Sequence, residues 1–301
     1  NEILSQNNDS AILNLSGKLA FSTDSFVVSP IKFAGGDIGK IAVCGTVNDL
    51  AMVGAKPRYL SCALIIEEGL DIAELKEILE SIKSSADIAG VSIVCGDTKV
   101  VSKGSCDKIF INTSGVGQII KEAKVENLKI GAKILLSGDV GRHGAVILAS
   151  RNELRLQSDL QSDCKPLNSV IEALFKAGIE PFAMRDATRG GLSAVLNEWA
   201  KACGYDIKIN EENIAVSDEV MGICEMLGFE PYELANEGTF VLAIDPKDEI
   251  KALEILREFD SNANTIGEIL DSNKGNVIIQ NSYGASRFME PPKGELLPRI
   301  C

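Results

Sequence analysis

The sequence predicts an α/β (α+β) protein built from two domains. Segments typical of strands and of helices alternate along most of the 301 residues, and this alternation favours layered sheets and helices. At about 150 residues per domain, the length suggests two domains. A connector-like stretch at 125–131, VENLKIG, places the boundary near residue 130. With 45% hydrophobic residues, each half has enough apolar side chains to form a core.

The N-terminal domain, 1–130, contains two predicted helices and four predicted strands. The helix over 71–89 has the clearest pattern, because Asp71 and Glu74 resemble a capping box and Gly90 supplies a stop. A second helix is predicted over 37–54 from its apolar spacing. The predicted strands are 18–28, 58–66, 91–97 and 108–120.

The second domain, 131–282, repeats the alternation, and a different segment follows it. Its first strand, within 132–141, runs into a Gly-rich turn. The remaining elements are predicted as helices at 144–151, 166–177, 189–202 and 247–259 and strands at 205–210, 239–245, 263–269 and 276–280. Residues 283–301 hold three prolines and two glycines, which exclude a regular helix or a central strand. We interpret this segment as a mobile arm that carries the terminal Cys301.

Composition excludes several classes of function. A net charge of −13 argues against a nucleic-acid partner, since affinity for phosphates comes from Lys and Arg. No apolar run approaches the roughly 18 residues of a membrane span. The single histidine, His143, excludes HExxH zinc sites, and we expect it at a surface or a helix start rather than on a phosphate. Eight cysteines without a CxxC pair suit a reducing cytoplasm.

Aspartates recur in five segments interpreted as turns or helix edges, and two of them, Asp37 and Asp97, directly follow a glycine. The five residues are Asp24, Asp37, Asp49, Asp97 and Asp186. Carboxylates gathered in one place repel each other unless a cation neutralises them, and magnesium is the usual cation between carboxylates and phosphates. Each segment alone is better explained as a turn or an N-cap, and only the set of five points to a metal site. No Walker A sequence is present, which disfavours a P-loop nucleotide site.

Six segments resemble the HypE family of hydrogenase maturation proteins, in the superfamily of aminoimidazole ribonucleotide synthetase and selenophosphate synthetase. The resemblance runs from about residue 18 to the end. Its most specific elements are DSFVVSP (24–30), GGDIGKIAVCGTVNDLAMVGAKP (35–57), GDTKVV (96–101), RDATRGGL (185–192), LANEG (234–238) and PRIC (298–301).

The resemblance implies a carbamoyl dehydratase, a carbon–oxygen lyase that uses ATP and Mg²⁺. A carbamoyltransferase, HypF, would load an S-carboxamide on Cys301, and this protein would convert it to a thiocyanate. The cyanide would then pass to iron on a HypC–HypD complex for a [NiFe]-hydrogenase. The family fold implies a homodimer built through the N-terminal sheets, with ATP near the subunit interface.

Site residues follow from the same resemblance, position by position. Cys301, Glu237 and Lys99 take the catalytic roles, with Glu237 as the base. The metal set is Asp24, Asp37, Asp49 and Asp186. The nucleotide set adds Asn48, Asp97, Thr98 and Arg189. The residues alone favour structural interpretations instead. Cys301 would be an incidental Cys in a frayed tail, Glu237 a turn carboxylate and Lys99 a solvated cation.

Alternative functions and structural roles remain open beside these assignments. Selenophosphate synthetase needs a reactive Cys near the N-terminus, and its relatives with other substrates need no terminal Cys arm. A docking module that only offers its tail to partners is the alternative from another class. Trp199 is expected in the core. Four cysteines are expected to be small buried thiols: Cys44, Cys62, Cys95 and Cys106.

Overall fold

The computed structural model describes residues 10–151, 159–294 and 299–301, which form two compact units. Unit 1 comprises the described parts of Asn1–Glu122, Cys164–Ser169 and Arg299–Cys301, and unit 2 comprises those of Ala123–Asp163 and Val170–Pro298. The division after Glu122 precedes the boundary predicted near residue 130. The connector belongs to unit 2, where the Gly131 N–H donates to the Ile269 carbonyl at 2.8 Å.

Unit 1 is a four-stranded sheet with two helices, and it confirms every predicted element of the N-terminal domain. Its elements are β1 (Leu19–Phe26), β2 (Lys32–Phe33), β3 (Gly36–Asp37), α1 (Ile38–Met52), β4 (Ala55–Glu67), α2 (Ile72–Ala89), β5 (Ser92–Val101) and β6 (Ile109–Ile119). The strand order is β1-β6-β4-β5, with β4 and β5 parallel and the other neighbouring pairs antiparallel. β2 and β3 form a separate short ladder.

Helix α1 is the centre of the unit 1 core. Thirteen of its fifteen residues are buried, which explains its nearly continuous apolar sequence. Gly45 permits close contact with β1, because an added Cβ would lie 2.8 Å from the ring of Phe26. This approach sets the polar residues of α1 directly against the inward face of β1.

The rest of the chain forms a seven-stranded sheet with helices. Its elements are β7 (Lys133–Leu136), α3 (Arg142–Ser150), α4 (Asn168–Lys176), β8 (Ala183–Asp186), α5 (Gly191–Cys203), β9 (Ile207–Asn210), α6 (Asp218–Leu227), β10 (Phe240–Ile244), α7 (Glu249–Phe259), β11 (Asn264–Ile269), β12 (Val277–Gln280) and β13 (Ser286–Phe288). The strand order is β13-β12-β9-β11-β7-β10-β8. Trp199 is fully buried in this core, as predicted.

Three elements of unit 2 differ from the prediction. β8 and α6 were not predicted. β8 spans only four residues and ends in a charged pair, so it has little strand pattern. α6 was missed although Ser217 and Gly228 are ordinary helix-cap residues. β13 lies inside the segment predicted as an arm, so the sheet continues past residue 282. Among the described strands it pairs only with β12, and it occupies the sheet edge, in agreement with the exclusion of a central strand. No helix in the described ranges is long and apolar enough to cross a membrane.

Candidate active site

Two predicted acidic residues, Asp24 and Asp49, meet in unit 1. Asp24 lies on the inward face of β1 and Asp49 on α1, and their side chains share a hydrogen bond. The Ser22 hydroxyl donates to Asp49 Oδ2 at 2.6 Å, and the Thr46 hydroxyl donates to Asp24 Oδ2 at 3.3 Å. Burial, followed by the charge and hydrogen bond of Asp49, raises the pKa of Asp24 to about 6. The pair therefore keeps a proton below about pH 6 and is ionised above it, where a cation would relieve the repulsion of the two carboxylates.

The chemistry of this pair fits magnesium. Mg²⁺ commonly binds one or two carboxylates and takes its other ligands from waters and substrate phosphates. Within the described ranges, no group of three or more Asp, Glu, His or Cys side chains is arranged to hold a metal. The pair would thus form the protein part of a site that a nucleotide completes.

The side chains of Asp37 and Asn48 make structural hydrogen bonds. Asp37 is the N-cap of α1, and its Oδ1 accepts the Lys40 N–H at 2.9 Å. Asn48 is buried; its amide accepts the Leu167 N–H at 2.7 Å and donates to the Lys165 carbonyl at 3.2 Å. Both residues thus anchor backbone in unit 1, and their proposed ligand contacts stay predictions.

Asp97, Thr98 and Lys99 lie in edge strand β5, which continues past the strand end predicted at residue 97 instead of turning there. All three are exposed. The Lys99 ammonium donates to Asp97 Oδ1 at 2.8 Å and lowers the pKa of that carboxyl group. Asp24 and Asp49 likewise lie within regular elements, because β1 extends past Asp24 and α1 past Asp49.

The predicted base, Glu237, lies in a buried turn of unit 2 that precedes β10. Only 2% of the residue is exposed. The backbone N–H groups of Glu237 and Gly238 donate to the two carboxylate oxygens of Asp163, at 3.0 Å and 2.9 Å. The turn is therefore held by a residue 74 positions earlier in the chain.

Asn236 fixes the same turn from the other side. It is fully buried; its Oδ1 accepts the Gly141 N–H at 2.7 Å, and its Nδ2 donates to the Ala187 carbonyl at 3.1 Å. Gly191 lets the loop after β8 approach, since an added Cβ would lie 2.5 Å from the Leu234 carbonyl oxygen. Such close packing leaves the backbone that carries Glu237 little freedom.

Two further predicted residues follow β8, where the chain enters α5. Asp186 is 7% exposed at the end of β8, and Arg189 is exposed just before α5. His143 is at a helix start, as predicted, but the expectation of a surface position is wrong. The packing of α3 buries it fully, and its Nδ1 lies 2.8 Å from the Ser162 hydroxyl.

The chain end belongs to unit 1. The Ser29 N–H donates to the Arg299 carbonyl at 3.1 Å, and the Arg299 guanidinium forms an ion pair with Asp107. Ile300 is 3% exposed, whereas Cys301 is partly exposed. The last three residues are thus docked here, while 295–298 lie outside the described residues. The prediction of a mobile arm stays a prediction.

The cysteines are thiols in the described structure, with no disulfide among them. Cys44 is buried, as expected, and Cys62 and Cys106 are partly buried. The expectation of burial is wrong for Cys95, because the edge strand β5 exposes it. Burial raises the pKa of Cys62 to about 11, which disfavours its thiolate.

Sequence reasoning missed the residues that support the site. Asp163 is the main case, since it lies in a stretch without a clear helix or strand pattern. Ser22 and Thr46 were also not predicted as site residues, because only the packing of α1 on β1 brings them to the acidic pair.

Comparisons with known proteins agree with this architecture. The family described as AIR synthase related protein matches twice, its N-terminal domain at residues 7–119 and its C-terminal domain at 129–280. Carbamoyl dehydratase HypE of Escherichia coli (strain K12) is 44% identical, covering 100% of this chain and 92% of that protein. Both units are therefore those of the AIR synthase related class.

Solved structures narrow this class to one family. A crystal structure of hydrogenase maturation protein HypE in complex with ATP is 42% identical, with a TM-score of 0.96, and covers 100% of this chain and 92% of that one. A HypE–HypF complex structure is 45% identical, with a TM-score of 0.87, and covers 97% and 96%. The chain belongs to the HypE family, whose members are named carbamoyl dehydratases and hydrogenase maturation proteins.

Proposed function

We propose that this chain is an ATP-dependent carbamoyl dehydratase that acts on its own last residue, Cys301. An S-carbamoyl group on that thiol becomes a thiocyanate, which supplies cyanide for the iron of a [NiFe]-hydrogenase. The observation that carries the proposal is in unit 1, where a partly exposed terminal thiol and a partly buried acidic pair suited to a cation belong to one compact body. The full-length similarity to HypE proteins supports it.

The reaction needs a leaving group and a base. ATP transfers its γ-phosphoryl group to the carboxamide oxygen, and the C–O bond then breaks as phosphate departs. Two protons leave the nitrogen as the C≡N bond forms, so the products are the thiocyanate, ADP and phosphate. We assign proton removal to Glu237, which is buried and held by a rigid turn. Lys99 is assigned as the cation beside the carboxamide.

Magnesium would be held by Asp24 and Asp49 and would neutralise charge on the transferred phosphoryl group. The burial of Asp24 and its hydrogen bond to Asp49 support this assignment, since a cation relieves the repulsion of two carboxylates. Asp37 and Asp186 stay in the proposed metal set on the family resemblance alone, since the described residues contain no cluster of three or more such ligands. The remaining proposed nucleotide contacts are Asn48, Asp97, Thr98 and Arg189.

Partners and location belong to the same proposal. A HypF carbamoyltransferase would load Cys301, in line with the HypE–HypF complex structure, and a HypC–HypD complex would accept the cyanide. A homodimer through the unit 1 sheet is supported by exposed apolar side chains on its edges, such as Phe21 at 74% and Val100 at 69%. Cysteines without a disulfide in the described chain suit the cytoplasm.

Intact mass separates the enzyme from a docking module that only presents its tail. The full chain is carbamoylated with cyanate, the Cys301 adduct is confirmed by peptide mass, and Mg-ATP is added. Loss of one water from that adduct supports the dehydratase, and an unchanged adduct supports the docking module. Cys301→Ala is the control, because it should bind ATP normally and form no thiocyanate. Water loss from another cysteine's adduct would move the carrier away from Cys301.

A further inference from the structure

Asp163 makes a pair of contacts that no assigned role explains. Its carboxylate is 8% exposed, and each oxygen accepts an N–H from one of two consecutive residues, Glu237 and Gly238. Two such bonds fix both the position and the direction of the peptide that bears the Glu237 side chain. A single bond would leave that peptide able to rotate about it.

The neighbours of Asp163 hold it in turn. The preceding residue, Ser162, is 9% exposed and its hydroxyl lies 2.8 Å from Nδ1 of the fully buried His143. Arg142 on α3 is close enough for its charge to interact with that of Asp163. Arg142 is itself ion-paired with Asp139, so the buried carboxylate is held by its two backbone bonds and by the anchored neighbour Ser162.

We propose that Asp163 is a positioning residue for Glu237, and that the contact between His143 and Ser162 keeps Asp163 in place. This inference rests on the proposed role of Glu237 as the base that removes protons from the carboxamide. A displacement of about 1 Å at a reacting group costs about a hundredfold in rate. Asp163 thus acts on the chemical step through the backbone of Glu237, without touching substrate.

The test is a double-mutant cycle in the full-length protein. The variants are Asp163→Ala, Glu237→Gln and the two together, and the assay is single-turnover loss of water from the carbamoylated Cys301 with saturating Mg-ATP. Asp163→Ala should slow this step about a hundredfold and leave the KM for ATP unchanged. The double variant should be no slower than Glu237→Gln alone, because Asp163 acts only through Glu237.

A matched control separates positioning from stability. Asp206 is also a buried carboxylate of unit 2, 4% exposed, and it accepts the Asn276 N–H at 2.8 Å. Asp206→Ala removes a comparable backbone anchor and should lower the Tm without slowing the chemical step. If Asp163→Ala does not fold, Asp163→Asn replaces it in the cycle; its amide keeps one acceptor and should slow the step about tenfold.

The outcomes distinguish the two proposals. Unchanged turnover in Asp163→Ala would overturn the positioning role of Asp163. A double variant slower than Glu237→Gln by the full factor of Asp163→Ala would overturn it as well. In both cases Glu237 would remain the proposed base. Normal turnover of Glu237→Gln would instead remove Glu237 as the base, whatever Asp163 does. A slow step shared by the Asp163 and Asp206 variants would reduce Asp163 to a stabilising residue.

Discussion

Asp24 and Asp49 share a hydrogen bond across the contact between β1 and α1. Their position is a consequence of packing, because Gly45 allows the helix to approach the strand and Ser22 and Thr46 fill the remaining polar contacts. Since burial and Asp49 raise the pKa of Asp24 to about 6, the pair changes its charge within an accessible pH range. Metal binding and stability should both follow that titration.

Asp24→Asn should therefore change the pH dependence of stability. In the folded protein the Asp24 pKa lies above its unfolded value of 3.8, so its contribution is complete below pH 4 and is lost as pH rises through 6. Without metal, the variant should match the parent Tm at low pH and exceed it by about 2–4 °C at pH 7.5.

Above pH 6, magnesium should make the Tm of the parent protein higher than that of Asp24→Asn. It should raise the Tm of the parent protein at pH 7.5 and have little effect at pH 5, where the pair retains its proton. Asp24→Asn should lose most of this stabilisation, and thermal denaturation with and without Mg²⁺ measures it. Asp87→Asn, an exposed acid on α2, is the control. Equal stabilisation of parent and Asp24→Asn by Mg²⁺ would place the cation elsewhere.

Glu237→Gln should bind ATP normally and dehydrate the carbamoyl group at least about a hundredfold more slowly, the range for a lost general base. The substitution keeps the shape of the side chain and both backbone bonds to Asp163, so the turn is preserved. Single-turnover mass measurements give the rate, and nucleotide titration gives the affinity. Glu233→Gln, in the same segment but partly exposed, is the matched control. A similar loss in that variant would point to the segment rather than to the Glu237 carboxylate.

Asn48 is predicted to contact the nucleotide, but in the structure its side chain makes structural hydrogen bonds, and a substitution can separate these two roles. Asn48→Ala leaves the buried Leu167 N–H and Lys165 carbonyl without their amide partner, which should cost about 2 kcal/mol or more in the free energy of unfolding. Asn48→Asp keeps the acceptor for Leu167 but sets a buried carboxylate oxygen against the Lys165 carbonyl, so it should lose at least as much. Urea denaturation measures the stability of Asn48→Ala, and ATP titration measures its affinity for the nucleotide. A tenfold loss of ATP affinity at unchanged stability would assign Asn48 to nucleotide binding.

The fold could be predicted from sequence wherever a local pattern was long. Helix α2 has a capping residue, a regular apolar stripe and a left-handed glycine at its end, and all three signals are visible in the letters. β8 could not be predicted in this way, because its four residues, which end in Arg185 and Asp186, carry no periodic signal. α6 was missed despite its caps at Ser217 and Gly228.

The site could be predicted only in part, because its geometry depends on contacts between distant segments. Sequence identified Asp24, Asp49 and Glu237 as residues of interest. It could not show that Asp24 meets Asp49, or that Asp163 holds the Glu237 turn from 74 residues away. Such contacts depend on how a helix and a strand pack, and local sequence does not encode that packing.

The ion pair between Asp107 and Arg299 should slow the release of Cys301 from its docked position. Both side chains are about half exposed, so the pair contributes only about 0–1 kcal/mol, and Asp107→Asn should raise the alkylation rate of Cys301 by at most about fivefold. Peptide mass after timed treatment with iodoacetamide measures this rate, with the exposed Cys95 as internal reference. Asp87→Asn again controls for net charge, because it removes one acid without touching the tail. An unchanged Cys301 rate in Asp107→Asn would mean that the backbone bond from Ser29 and the buried Ile300 hold the chain end without help from the ion pair.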